Sequence, residues 1–186
     1  SIIVGICNIN SITCHNIIKY VENRDEILDE LEESGIATDR NDAKKKILTS
    51  MFSDEFCSSN KFLCELYTEC MTIKNTFMSM KQFKSYKEDF EKEIKGLGVT
   101  VNNKLGSFLF HVGEIYEHRI MKTIVDYSKE LDNVIVTMIH DGFIMHNRFT
   151  DQMEMDKYTK LCENKVFDKH GIDIRLKCSR FSFDFE

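Results

Sequence analysis

The chain has 186 residues, of which 42% are hydrophobic and 30% are charged. These proportions are typical of a folded globular protein and exclude intrinsic disorder. The 31 acidic and 25 basic residues give a formal net charge of −6. This balance is unusual for a protein that coats nucleic acid, although it allows a local basic groove. No apolar run approaches the roughly 20 residues that a bilayer-spanning helix needs, so we expect no membrane partner.

Seven cysteines occur, and no two of them have the CxxC spacing of a zinc site or a redox motif. We therefore expect free thiols in a reducing intracellular compartment: cytoplasm, nucleus or virus factory. The opening residues lack the basic lead of a signal peptide. Because the chain starts with Ser1 and an apolar run follows at once, we expect it to be part of a longer protein.

Hydrophobic periodicity predicts helices through the first third of the chain. Residues 2–8 are apolar and suit the end of a helix. Apolar residues at threes and fours predict a helix from Ile17, which Gly35 ends because glycine tolerates a positive φ. Thr38 or Asp39 is then the predicted N-cap of a helix over residues 40–52.

The middle of the chain predicts more helix. Residues 59–95 form two predicted helices that divide near Asn75, and two glycines follow at positions 96 and 98. A loop over residues 102–106 leads into a long predicted helix over residues 107–131.

The period then changes, and the pattern predicts strands. Residues 134–139 are apolar and rich in β-branched side chains, as in a buried strand. Asp141-Gly142 is the strongest hairpin signal, and residues 143–146 form the return strand. A helix over 151–167 and a third, alternating strand over 172–176 follow, and the tail FSFDFE alternates as an edge strand does. Many helices against a small antiparallel sheet predict an α+β fold.

A carboxylate at the tip of the predicted hairpin is the first candidate for chemistry. A buried strand carries His140 and Asp141 to an accessible turn. Mg²⁺ prefers one or two carboxylates together with substrate phosphates, which makes Asp141 a candidate metal ligand. The same triplet also fits an ordinary turn with a solvated carboxylate.

A stripe on the predicted helix over residues 40–52 is the second candidate. Arg40, Lys44, Leu48 and Phe52 recur every four residues and so lie along one slowly drifting face. Two cations followed by apolar side chains suit a nucleoside triphosphate, with the cations at the phosphates and the ring at the base. The alternative is a surface helix whose lysines are simply solvated.

Together, the two features resemble the fingers helix and the catalytic hairpin of family A DNA polymerases, in particular divergent viral and mobile-element versions. The fingers helix of that family has the pattern Arg-x-x-x-Lys-x-x-x-aromatic-x-x-x-Tyr-Gly, and this chain has Arg40-NDA-Lys44-KKI-Leu48-TSM-Phe52-Ser53. The hairpin is VIVTMIHDGFIM. YVENRDEIL before the fingers helix and Gly106-Ser107 at the start of SFLFHVGEIYEHRIMKTIV also fit. The resemblance spans about residues 15–180.

The resemblance implies a polymerase palm with a fingers helix: helices packed on a small antiparallel sheet that includes the catalytic β-hairpin. Residues 1–58 would be the fingers-side helices and residues 59–186 the palm side. Asp141 would be a carboxylate of a site for two Mg²⁺ ions, and His140 would support the primer terminus.

The resemblance also implies roles for residues of the predicted helix over 40–52 and of the long predicted helix over 107–131. Arg40 and Lys44 would contact the triphosphate, and Lys44 could donate a proton to the leaving pyrophosphate. Leu48 stands where an aromatic residue usually stacks on the incoming base, and Phe52 stands where a Tyr is usual. On the long helix, the nucleic-acid contacts would be Glu117 and Arg119.

The implied function is a template-directed DNA polymerase that extends a primer 3′ end with dNTPs on a DNA primer–template. One departure bears on activity: Asp25, Asp29 and Asp39 do not lie in the strand-like context of the family's first carboxylate motif. We therefore expect that motif in a missing N-terminal part of the same polymerase, so that this chain is a fragment, half of a split enzyme or a remnant. Alternatives are a single-subunit RNA polymerase-like fragment, a metal-dependent phosphohydrolase, and an inactive polymerase-like module that binds nucleic acid or protein.

Overall fold

The computed structural model describes residues 1–98, 102–133, 135–139, 142–145 and 149–178. In these ranges the chain forms eight α-helices, one 3-10 helix and two short strands. The α-helices are α1 (Ile2–Ile9), α2 (His15–Glu22), α3 (Arg24–Glu33), α4 (Arg40–Phe52), α5 (Lys61–Ser79), α6 (Lys84–Leu97), α7 (Lys104–Glu130) and α8 (Gln152–His170). The 3-10 helix is Lys81–Phe83, and the strands are β1 (Ile135–Ile139) and β2 (Gly142–Met145).

The long helix α7 is the centre of the structure. It packs against α1, α4, α5, α6 and α8, and α5 packs in turn against α2 and α4. The side chains that fill the space between these helices are fully buried and apolar; they include Ile47, Leu63, Leu66, Ile73, Phe77, Phe108 and Val112. None of the helices described is both long and apolar enough to cross a membrane.

The predicted fold class, α+β with helices packed on a small antiparallel sheet as in a polymerase palm, is wrong. The structure is mostly helical, and its helices pack on one another. In the described ranges, β1 and β2 pair only with each other, antiparallel, with Ile135 opposite Met145 and Ile139 opposite Gly142. A lone hairpin has no broad face for helices to cover, so the hydrophobic core lies between the helices instead.

The predicted third strand over residues 172–176 is also wrong, because this segment has no strand structure. Ile172 is fully buried and packs against Gly5 of α1. The Leu176 backbone N–H donates to the Glu163 carboxylate of α8 at 2.9 Å. An alternating sequence becomes a strand only where a sheet edge accepts its backbone groups. Here the segment packs against α1 and hydrogen-bonds to α8 instead. The tail FSFDFE lies outside the described residues.

Several predicted helix limits change. The helix predicted from Ile17 is two helices, because α2 ends at Glu22 and α3 begins at Arg24. Gly35 follows α3 with a φ of 71°, as its predicted role requires. Helix α5 continues past the predicted break at Asn75. The division into domains at residues 1–58 and 59–186 stays a prediction.

Residues 52–54, which we call the α4 exit segment, are fixed by side chains from two other parts of the chain. The backbone carbonyl of Phe52 accepts a hydrogen bond from Asn103 Nδ2 at 2.7 Å. The carbonyl of Ser53 accepts one from Lys74 Nζ at 2.5 Å. The carbonyl of Asp54 accepts one from the Tyr67 hydroxyl at 2.8 Å. The end of α4 is therefore tied both to α5 and to the residue that precedes α7.

The Asp54 side chain caps α7 from a distance of some fifty positions in sequence. Its two carboxylate oxygens accept the backbone N–H groups of Leu105 and Gly106, both at 2.8 Å. These are N–H groups in the first turn, which have no partner inside the helix. A carboxylate is favourable there because the N-terminal end of a helix carries a partial positive charge.

Lys74 of α5 contacts both Ser53 and Asp54, and we call Ser53, Asp54, Lys74 and Asn103 the junction. The side chain of Lys74 is completely buried, and its Nζ lies 3.8 Å from the Asp54 carboxylate. Burial lowers the pKa of Lys74, although the nearby Asp54 carboxylate acts in the opposite direction. The ion pair and the hydrogen bond to Ser53 together compensate a charge that would otherwise be costly to bury.

Gly106 allows α7 to approach the α4 exit segment. A Cβ atom at this position would lie 1.5 Å from the backbone oxygen of Phe52 and 2.8 Å from Asn103 Nδ2. Because the first of these atoms is backbone, no change of rotamer can relieve the overlap. Only glycine fits here without moving α4 away from α7.

We expect Gly106→Ala to lower the free energy of unfolding by about 3 kcal/mol, at the upper end of the usual cost of overpacking. Gly113 lies in the same helix with no heavy atom within 4 Å of its virtual Cβ, so it supplies the control. Gly113→Ala should raise stability by about 0.5–1 kcal/mol, since alanine favours helix more than glycine. Urea unfolding followed by circular dichroism measures both changes. Equal effects of the two substitutions would contradict the close approach.

We also expect a pH dependence that belongs to Lys74. Because the folded chain holds this pKa below the ordinary lysine value of 10.5, the unfolded chain binds more protons as the pH approaches that value. Between the lowered pKa of the folded chain and 10.5, the free energy of unfolding should therefore gain a contribution that increases with pH. Comparison with Lys74→Met at a series of alkaline pH values removes this contribution, and Cys70→Ala in both chains removes the neighbouring thiol whose pKa Lys74 also lowers. Parallel pH profiles would show that Lys74 does not titrate in this way.

Candidate functional site

The N-terminus of α4 is capped by its own sequence. Asp39 accepts the backbone N–H groups of Asn41 at 2.7 Å and of Asp42 at 2.8 Å, which confirms it as the N-cap. Asp42 reaches back and accepts the Thr38 backbone N–H at 3.0 Å. This hydrogen bond lowers the pKa of Asp42. Because of these reciprocal contacts, the helix begins at Arg40.

The four residues of the predicted stripe do not belong to the buried side of α4, although Phe52 packs against the edge of the core. Ala43, Ile47, Ser50 and Met51 form the buried side of the helix. Arg40, Lys44 and Phe52 are half-buried, and 55% of Leu48 is exposed. We call Arg40, Lys44, Leu48 and Phe52 the outer face of α4. It joins a basic end to an apolar end over about three turns.

The two cations of the outer face differ in their surroundings. The Arg40 guanidinium forms ion pairs with Asp25 and Asp29 of α3. Both carboxylates are more than half exposed, and exposed ion pairs of this kind contribute only about 0–1 kcal/mol each. Lys44 makes no ion pair or side-chain hydrogen bond with any described residue. Lys44 is therefore available to an anion, and Arg40 becomes available if the anion displaces two carboxylates.

The apolar end of the outer face meets α7. The rings of Phe52 and Phe110 are 6.3 Å apart in an edge-to-face arrangement. Phe110 is 56% exposed, which is unusual for so large an apolar side chain, and Leu48 lies one turn before Phe52. Phe52 and Phe110 also line a cavity of about 340 Å³ at the surface formed by α4, α6 and α7.

The predicted nucleic-acid contacts Glu117 and Arg119 lie further along α7. The Arg119 guanidinium lies over the rings of Tyr86 and Tyr116, at 5.1 and 5.6 Å from their centroids. Glu117 is half-buried. Cation–π packing between α6 and α7 accounts for the contacts of Arg119. Among the described residues, no hydrogen bond, ion pair or ring contact joins Glu117 or Arg119 to the outer face of α4.

The predicted catalytic pair lies beyond what the structure describes. His140 and Asp141 stand between β1 and β2, and both lie outside the described residues. Among the described residues, no three His, Cys, Asp or Glu side chains come together as a group that could hold a metal ion. The predicted Mg²⁺ role of Asp141 stays a prediction.

Sequence analysis named Phe52 but missed the contacts of Asp54, Lys74 and Asn103 at the end of α4 and the cavity beside them. Asp54, Lys74 and Asn103 lie in a loop, in the middle of a helix and before a helix, where sequence offers no sign of long-range pairing. The two signals available were the glycine at 106 in a helical context and the isolated lysine on the apolar side of α5. Each marks a close approach or a buried charge only once the partner helix is known.

Comparisons of the chain with protein-family models, with curated proteins and with solved structures found no significant match.

Proposed function

We propose that this chain binds nucleoside triphosphates on the outer face of α4, as the nucleotide-binding part of a template-directed DNA polymerase that extends a primer by nucleotidyl transfer. The observation that supports this proposal is Lys44, which has no partner in the described part of the chain and lies one turn from Arg40 and one turn from the exposed Leu48. A cation without a partner beside exposed apolar surface suits a ligand with an anionic end and a flat apolar end.

In this proposal each end of the outer face has its own task. Lys44 donates hydrogen bonds to phosphate oxygens and holds a proton that a leaving pyrophosphate can accept. Arg40 exchanges Asp25 and Asp29 for phosphate, which offers a geometry that a guanidinium binds in bidentate fashion. Leu48 and Phe52 cover a face of the base, with Phe52 held in place by the hydrogen bond from Asn103 to its backbone carbonyl.

The partners belong to the same proposal. They are dNTPs, a DNA primer–template and a further part of the same polymerase that supplies another carboxylate. Two Mg²⁺ ions would supply charge stabilisation at the phosphates, with Asp141 as a ligand and His140 beside the primer terminus. Glu117 and Arg119 would contact nucleic acid. All seven cysteines are free thiols, which supports a reducing intracellular compartment.

Replacement of Lys44 tests the nucleotide site directly. We expect Lys44→Ala to weaken binding of fluorescently labelled dATP by about 10- to 100-fold, because a hydrogen bond between charged groups contributes about 1.5–3 kcal/mol. Lys45→Ala is the matched control, since Lys45 is the next residue of α4 and is exposed off the outer face. It removes the same charge and should change the affinity little. Equal losses in the two variants would remove Lys44 from the site.

Neutralisation of the Arg40 partners tests the exchange of carboxylates for phosphate. The double variant Asp25→Asn, Asp29→Asn releases Arg40, so we expect triphosphate affinity to rise by about three- to fivefold, in line with the strength of exposed ion pairs. The same substitutions in an Arg40→Ala background should have a smaller effect. A fluorescence titration at constant ionic strength measures both, and an equal gain in the two backgrounds would leave Arg40 without a role.

A second candidate function is a nucleic-acid-binding or protein-interaction module without catalysis. The ion pairs of Arg40 and the mostly helical fold favour it. It predicts that neither labelled dATP nor labelled ATP binds to the unmodified chain. Tighter binding of ATP than of dATP would instead support the RNA polymerase-like alternative.

A further inference from the structure

The cavity between α4, α6 and α7 has the size and the lining of a small-molecule site. Its volume of about 340 Å³ lies within the range of ligand pockets. Phe52 and Phe110 form one aromatic wall, with their rings at 78° to each other. Phe90 of α6 is buried opposite, with its ring centre 5.5 Å from that of His111. Three phenylalanine rings around one opening favour a flat guest that can lie against their faces.

Asn103 supplies an unused hydrogen-bond acceptor in this lining. Its Nδ2 donates to the Phe52 carbonyl, and a carbonyl can only accept, so the orientation of the amide is determined. The other end of the amide, Oδ1, is buried and has no hydrogen-bond partner among the described residues. A buried acceptor without a partner is costly, and a ligand that carries an N–H group would satisfy it once small side-chain movements at the cavity wall uncover the oxygen.

His111 supplies a second unused atom. Its Nδ1 faces Glu93 Oε2 at 3.8 Å, and its Nε2 is buried with no partner in the described part of the chain. In the neutral imidazole that carries its proton on Nδ1, Nε2 is an acceptor. Asn103 Oδ1, and His111 Nε2 in that tautomer, can each accept a hydrogen bond from a guest.

The charges at the cavity are negative. Glu93 and Glu114 both line it, and the side chain of Glu93 is 62% exposed. The N-terminus of α7, which lies at the same place, offers no compensating anion site. Its N–H groups at Leu105 and Gly106 already donate to Asp54. The cavity thus selects against phosphates and carboxylates and in favour of a cation.

We propose that this cavity binds a small, flat aromatic cation with N–H donors, of the aryl amidine or aromatic amine class. The ring lies among Phe52, Phe90 and Phe110. The N–H donors satisfy Asn103 Oδ1 and His111 Nε2, and the positive charge meets Glu93 and Glu114. This proposal does not depend on nucleotide binding at α4, because its ligand has the opposite charge and its test uses no nucleotide.

Benzamidine is the probe, with benzoate as a ligand of the same shape and opposite charge. We expect benzamidine to bind in about the millimolar range, as a fragment of this size allows, and to shift the amide NMR signals of Gly106 and Ser107 and the side-chain amide of Asn103. Benzoate should leave these signals in place. Equal binding of the two compounds, shifts confined to other parts of the chain, or no shifts at all would overturn the proposal.

Two variants test the aromatic ring of Phe110 and the carboxylate of Glu93 separately. Phe110→Ala removes an exposed ring without opening the core and should weaken benzamidine binding about tenfold. Glu93→Gln should weaken it about three- to fivefold. The control Glu88→Gln removes an exposed carboxylate of the same helix that pairs with Lys84 and does not line the cavity, so it should change the affinity little.

The result is decisive in either direction. Circular dichroism and the unfolding midpoint show whether each variant keeps its fold, and Glu93→Gln replaces a side chain that is 62% exposed. If Glu93→Gln and Glu88→Gln weaken binding equally, the effect is one of net charge and the site assignment fails. If Phe110→Ala keeps full affinity, the ring is not part of the site and the proposal is likewise overturned. Loss of nucleotide binding in Lys44→Ala bears only on α4.

Discussion

The carboxylate of Asp54 joins three helices, and the arrangement of both candidate surfaces depends on it. It accepts two N–H groups at the start of α7 and lies beside the buried ammonium of Lys74 from α5. It belongs to the segment that leaves α4, so its position also determines where α4 ends. A charged group in three such contacts cannot move without leaving N–H groups or a buried cation unpaired. The direction of Phe52 against α7 follows from this constraint.

Two surfaces of opposite charge meet at Phe52. The outer face of α4 is basic at Arg40 and Lys44, whereas the cavity on the other side of Phe52 is acidic at Glu93 and Glu114. The Phe52 ring contributes an apolar boundary to both, and the hydrogen bond from Asn103 to its carbonyl holds it there. Under the two proposals, ligands of opposite charge would bind on the two sides of one ring, because each surface would repel the ligand of the other.

Local sequence predicted most helices and the β1–β2 hairpin, but it predicted a third strand that does not form. The limits of α4 could be predicted from the cap at Asp39 and the apolar residues on one side, since both are interactions within a few residues. The segment from Ile172 alternates as a strand does. However, its backbone hydrogen-bonds to Glu163 of α8, and the Ile172 side chain packs against α1. Strand formation needs a partner, and a pattern of alternation contains no information about whether a partner edge exists.

The sequence by itself determined that α4 has an outer face of Arg40, Lys44, Leu48 and Phe52, because a helix repeats every 3.6 residues wherever it lies. It did not determine that Arg40 is held by α3, that the fold is helix upon helix, or that a cavity opens beside Phe52. The ion pairs of Arg40 depend on Asp25 and Asp29 of α3. The packing of α4 against α7 depends on Asp54, Lys74, Asn103 and Gly106, whose partners are some twenty to fifty positions away. Only the tertiary structure brings such groups within hydrogen-bonding distance, since the free energy that pairs them comes from burial of the whole core and not from neighbouring residues.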